Sequence, residues 1–275
     1  MKKVLLGTSA LVLSAGVAFA DGHAGGVAVG GSAELWVEEV GGADASFNNE
    51  IELTFSASGE TDGGLGFGAD FAFVDGATDN NEVYISGSWG KLTVGDTDDA
   101  LQKVASLGDI GFDGLGVDDL AEVGRGDGDS DGVLYENNLG PATIYLAMNQ
   151  DTGVDDMSAG VKFSAGAITV GIGYEDQGGA DLTAFDVSGD LGGIGFDVYY
   201  EDGDANDTNY GTIISYDAGA ATINFGYADG DANTGDAAMG IGFSMDLGGG
   251  ASLSGGVVDD GQDNTNWDLG IGMSF

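Results

Sequence analysis

The chain reads as an all-β protein, a 16-stranded antiparallel transmembrane β-barrel, and three observations predict it. Apolar residues alternate with small or polar ones from Val27 to Phe275, in short segments that count to sixteen. Seven tight turns interleave with eight longer, mostly acidic connections. Beyond residue 20 no segment approaches the ~18–20 uninterrupted apolar residues of a membrane-spanning helix. Mean hydropathy nevertheless stays above zero despite 47 acids among 275 residues. Strands with one face in lipid and the other in water give that combination. In hydrocarbon every backbone group needs an internal partner, so such strands must close on themselves.

Residues 1–20 read as a secretory signal: Lys2 and Lys3 begin it, Val4 to Leu13 form the apolar run, and Ala18-Phe19-Ala20 is a small-residue cleavage site. The mature chain, 21–275, is a single domain. Val27, Val29, Leu35 and Val37 share one face of its first strand, and Phe47, Ile51, Leu53 and Phe55 one face of the second. Leu65, Phe67, Phe71 and Phe73 mark the third, Val83, Ile85 and Trp89 the fourth, and Leu92 with Val94 the fifth. After a long interruption, Val133 and Tyr135 begin the sixth, and Leu139-Gly140-Pro141 turns into a seventh around Ile144, Leu146 and Met148. Later strands are carried by Met157/Val161/Phe163, Val170/Ile172/Tyr174, Phe185/Val187, Ile194/Phe196/Val198/Tyr200 and Tyr210/Ile214/Tyr216. Ile223/Phe225/Tyr227, Met239/Ile241/Phe243/Met245, Leu253 with Val257, and Trp267/Leu269/Ile271/Met273/Phe275 complete the series.

Residues between the apolar ones are small or polar, as at Gly171, Gly173, Gly195, Asp197, Gly240, Gly242, Asp268, Gly270 and Ser274, which suits a water-filled interior better than a packed core. Tyr174, Tyr200 and Tyr227 precede acidic loops, while Trp89, Tyr216 and Phe275 lie at the opposite strand ends, as two aromatic girdles at headgroup level require. The longer connections are Gly41–Ala45, Asp75–Asn81, Asp96–Asp131, Asn149–Asp156, Glu175–Asp181, Glu201–Thr208, Ala228–Asp236 and Asp259–Thr265.

Removal of the signal takes two lysines away and moves the formal charge from −41 to −43, leaving Lys91, Lys103, Arg125 and Lys162 as the cations. Nucleic acid and anionic lipid surfaces are poor partners for such a chain. Cysteine is absent, so no disulfide supports it. The stretch Asp96–Asp131 holds eleven acids, among them Asp96, Asp98, Asp99, Asp109, Asp113, Asp118, Asp119 and Glu122, against Lys103 and Arg125. It also holds Leu101, Val104, Leu107, Ile110, Phe112, Leu115, Val117, Leu120 and Val123, too many apolar side chains for a freely solvated loop. Loops of this length in a compact domain are usually functional.

Three segments resemble the general porins of Gram-negative outer membranes, most closely the purple-bacterial type. Ser88-Trp89-Gly90-Lys91-Leu92-Thr93-Val94-Gly95-Asp96 is similar to the family's fifth strand, and Tyr135-Glu136-Asn137-Asn138 with Leu139-Gly140-Pro141 to its return strand and turn. Met245 to Leu253, with the closing Asp268-Leu269-Gly270-Ile271-Gly272-Met273-Ser274-Phe275, is similar to its last three strands. The resemblance implies a homotrimeric, water-filled passive diffusion channel in the outer membrane, surrounded by lipid and lipopolysaccharide, whose third external loop folds into the barrel. It sets loop acids against a basic cluster on the opposite wall. This chain departs from that pattern: the polar face of the first four strands offers Glu34, Glu38, Glu50, Glu52, Asp70 and Glu82 and no basic residue. A narrow passage lined by acids on both sides should favour cations, because low-dielectric walls focus the field.

Asp127-Gly128-Asp129-Ser130-Asp131-Gly132 matches the opening of a helix-loop-helix calcium loop, but its twelfth position is Asn138 and neither flank is helical. Acidic-loop chemistry is the default there, with Ca2+ at Asp127, Asp129 and Asp131 as the alternative; no cofactor is required. Gly64-Leu65-Gly66-Phe67-Gly68 precedes no helix and so is no dinucleotide fingerprint. His23, the only histidine, sits beside the mature terminus, and no nucleophile has a visible partner, so no enzyme is expected. The competing readings are a secreted calcium-dependent β-rich adhesin or surface-layer protein, and a substrate-specific channel of the same fold.

Overall fold

The computed structural model describes residues 25–123, 130–151, 154–204, 207–231 and 235–275; the signal segment, Arg125, Asp127 and Asp129 lie outside them. Its strands are β1 (Gly26–Glu39), β2 (Ser46–Glu60), β3 (Gly66–Val74), β4 (Ala77–Gly87), β5 (Gly90–Thr97), β6 (Ser130–Leu139), β7 (Ala142–Asp151) and β8 (Val154–Ala165). They continue as β9 (Ile168–Asp176), β10 (Asp181–Asp190), β11 (Ile194–Gly203), β12 (Asp207–Asp217), β13 (Thr222–Gly230), β14 (Ala238–Gly248), β15 (Ala251–Asp259) and β16 (Thr265–Ser274). Each strand pairs antiparallel with its neighbours in sequence, and β1 pairs with β16, so all sixteen close into one barrel with no free edge.

The two-residue period sorts the side chains. Val27, Val29 and Leu35 on β1, Phe47, Ile51 and Leu53 on β2, and their counterparts around the barrel remain exposed on the outer face, an apolar belt that lipid would cover. Phe55, Phe71 and Phe73 stack and cross edge-to-face on that face of β2 and β3. Trp89 stacks on Tyr135 near one rim, and Tyr210 meets Tyr227 and is the register partner of Tyr200 near the other, which places both aromatic girdles.

Several expected connections shorten because strand pairing runs on toward the rim, among them Asn149–Asp156, where Asn149 pairs with Asp156, and Glu201–Thr208, where Asp202 pairs with Thr208. The connection expected over Asp75–Asn81 shrinks to Asp75-Gly76, with φ of 49° and 86°, and β4 starts at Ala77. Asp-Gly with both φ positive is the two-residue turn whose twist matches antiparallel strands, so the ladder runs on to the rim. The long loop expected over Asp96–Asp131 is shorter at both ends, because Asp96 pairs with Asp131 and Thr97 with Ser130 in the β5–β6 ladder. Continued pairing satisfies backbone groups that a loop would leave open.

Inside that loop lie two short helices, α1 (Ala100–Val104) and α2 (Val117–Ala121). α1 packs on β7 to β10 and α2 on β11 to β14, both against the wall face opposite the apolar belt. Leu101, Val104, Leu107, Ile110, Leu115, Val117 and Ala121 form one buried cluster with Leu182, Ala184, Tyr199, Ile213, Ala228 and Val258 of the wall. The core of this barrel is the seam between loop and inner wall.

Candidate functional site

Inward glycines make the loop's seat. A Cβ at Gly171 would lie 1.7 Å from the carbonyl oxygen of Val104, and one at Gly173 would meet Leu101. Gly211 faces Leu107 and Ala121, Gly226 faces Ile110 and Val117, and Gly256 faces Ile110 and Gly111. The small inward positions expected from alternation therefore admit the loop backbone to contact distance, rather than only widening a water channel. Apolar residues interrupt the polar parity where the loop lies: Leu182, Ala184, Ile213 and Val258 are buried, inward and covered. That break in an otherwise polar face is the sequence signal of the loop's footprint.

Several loop acids hold the loop together. Asp99 caps α1, its carboxylate accepting from the Gln102 amide at 2.8 Å, while the Ala100 amide donates to Ser158 Oγ on β8 at 2.8 Å. Asp109 ties a knot: one oxygen accepts from the Ile110 and Val117 amides at 2.7 and 2.9 Å, the other from Gly116 at 2.8 Å. Glu122 accepts from the Leu107 amide and clasps the two arms together. Burial, then the negative charges of Asp109, Glu122 and Asp119, push Asp118 up to about 9, so at neutral pH it is a neutral acid bonded to Asp109.

The expected set of water-facing loop acids therefore divides. Asp96 stands in β5 on the same register face as Leu92 and Val94, the outer one, because strand pairing extends past it. Asp99 is buried at its cap, 3% exposed, because α1 needs a partner for its first amides. Asp109, Asp118 and Glu122 face one another and the loop backbone. Asp119 is exposed, Asp113 is half-exposed, and Asp98 is half-exposed and ion-paired with Lys103.

The six expected wall acids stay together on the inner face. Glu34 and Glu50 are register partners across β1 and β2, and Asp70 and Glu82 across β3 and β4. Like charges directly opposite one another oppose pairing, so these two pairs cost the barrel stability. Glu52 accepts from Ser32 Oγ at 3.5 Å, and Glu38 from Asn48 Nδ2 at 2.8 Å. β5 adds a cation that the first four strands lack: Lys91, opposite Ser86 and Glu136, with Nζ 4.6 Å from the centre of the Tyr84 ring. Lys162 on β8 also shares the inward register, between the outward Val161 and Phe163. Asp131 lies in β6, and among the described residues no group of three or more acidic or histidine side chains is placed to hold a metal ion.

A model of the Gram-negative porin family matches residues 7–271. The chain belongs to that family. It is 28% identical over 286 aligned positions to a porin of Rhodobacter capsulatus, covering 85% of this chain and 94% of that one. A porin structure refined at 1.8 Å superposes with a TM-score of 0.74 at 25% identity, over 91% of this chain and all of the other. A triple mutant of Rhodopseudomonas blastica porin shares the fold, with a TM-score of 0.72 at 17% identity over 90% of this chain and all of its own. This porin is thus an outer-membrane channel, and a soluble adhesin does not account for the closed barrel and its apolar belt.

Proposed function

We propose that this porin passes small hydrophilic solutes and ions passively and prefers cations. The observation that carries the reading is the wall from β1 to β4, where Glu34, Glu38, Glu50, Glu52, Asp70 and Glu82 all take the inward register. The loop covers the inner face from β7 to β14 and reaches β16, so the solute path runs along the acidic wall that the loop helices leave open. Fixed negative charge in a water-filled passage enriches cations and depletes anions. Asp98, Asp113 and Asp119 add to it from the loop side, so the wall carries more of the field than the loop.

The working form is a homotrimer, exported with its signal removed and seated among outer-membrane lipid and lipopolysaccharide. It acts on no bond and needs no cofactor: conductance should persist when a chelator removes Ca2+ from the solution. The test is a planar bilayer under asymmetric KCl. Stepwise conductance with a reversal potential of cation sign supports the reading; an anion sign would overturn the selectivity and leave the channel.

A further inference from the structure

The loop's turning point is held differently from its arms. The helices rest on apolar contacts, but the tip at Gly111–Asp113 reaches the closing strand β16, where the Asp268 carboxylate is 4% exposed. One of its oxygens accepts from the Phe112 amide at 2.6 Å and from the Asp113 amide at 2.9 Å. The other accepts from Gly256 on β15 at 2.9 Å. A carboxylate with several backbone donors is a strong, directional anchor in a site that water does not reach. The loop backbone fits because residue 111 is glycine: its φ is 111°, and a Cβ there would lie 2.5 Å from the bound Asp268 oxygen.

The same grip places an aromatic ring. Phe112 lies over Gly270, where a Cβ would come within 2.4 Å of the ring, and its centroid is 5.8 Å from that of Trp36 on β1. Gly270 and Trp36 are register partners across the β1–β16 seam, so Phe112 abuts the strand at which the acidic wall begins.

We propose that Asp268 is the positioning residue of the constriction: by clamping the loop tip it sets the Phe112 edge of the aperture. The proposal rests on the channel reading above. Release of the clamp leaves the barrel, α1 and α2 in place but lets the tip and its ring fluctuate in the current path.

The replacement Asp268→Asn keeps the shape and turns one oxygen into an amide donor, which then faces an amide N–H whichever way the side chain is turned. Gly111→Ala attacks the same contact from the loop and leaves every residue of the β1–β16 ladder in place. Both should raise open-channel current noise several-fold and admit larger sugars in liposome swelling. Gly111→Ala removes no charge and should keep the native reversal potential, whereas Asp268→Asn, which neutralises the register partner of Glu38, should lower it by no more than one wall charge's share. Phe112→Ala should widen the aperture without the added noise, since the clamp remains. Native steps with quiet, unaltered variants would overturn the clamp alone, as would a shifted reversal potential without noise in Asp268→Asn, which would make Asp268 a lumen charge. A native protein without any conductance would overturn the channel itself. Should Asp268→Asn fail to assemble, Gly111→Ala decides the matter.

Discussion

Neutralising the paired wall acids tests the selectivity most directly. The variant E34Q/E50Q/D70N/E82Q dissolves both like-charge pairs while keeping side-chain size. The six wall acids named above, less Lys91, amount to five net negative charges. A unit charge about 8 Å away in water contributes about 0.5 kcal/mol, which a Debye length of about 10 Å at 0.1 M salt reduces to about 0.25. Five such charges favour a cation by about 1.2 kcal/mol and disfavour an anion equally, a cation-to-anion ratio on the order of 50. With four neutralised, the same sum leaves a ratio of about 2. The assay is the reversal potential across a bilayer in a steep KCl gradient, which should fall from near the cation limit toward zero. Raising salt to 1 M should bring the native channel to about the same ratio of 2, because the Debye length shrinks to about 3 Å. A variant whose reversal potential matches the native one at 0.1 M would refute the assignment of the field to this wall.

Filling the glycine seat should dislodge the loop: Gly171→Ala places a methyl on the Val104 carbonyl, at a cost of about 1–3 kcal/mol, and should raise conductance while the detergent-resistant barrel persists on gels. For Asp118 the sign is that of an acid whose folded value is raised to about 9 from an ordinary 3.8: the seated loop holds a proton that the released loop has lost, so the seat weakens as pH rises from about 4 to 9 and changes no further above that. Hydrogen exchange at Gly116 and Val117 should therefore accelerate over this range beyond its intrinsic base catalysis, and Asp118→Asn should abolish the excess. Lys103→Ala breaks the half-exposed pair with Asp98 and should leave the cation sign of the reversal potential unchanged, since exposed pairs contribute about 0–1 kcal/mol.

The barrel was legible because its information is local. A period of two in Val27, Val29, Leu35 and Val37, repeated to Phe275, names the face of each residue before any partner is known. The inward register of Glu34, Glu50, Glu52, Asp70 and Glu82 follows from the same parity. Alternation likewise marks Gly171, Gly226 and Gly270 as inward, and closure follows from the membrane's intolerance of open edges.

The roles of the loop acids were not legible, because they depend on contacts between residues far apart in sequence. Nothing in the composition of the segment after β5 separates Asp109, which ties its backbone, from Asp119, which meets water. Only the folded path brings Asp268 to the amides of Phe112 and Asp113, and Leu107 to Glu122. Parity tells which way a strand residue points, whereas the partner of a buried carboxylate is set by where the chain returns. Period-two parity therefore specifies the barrel and the inward face of its acids, whereas the acids that anchor the loop emerge only once the folded chain brings their amide partners to them.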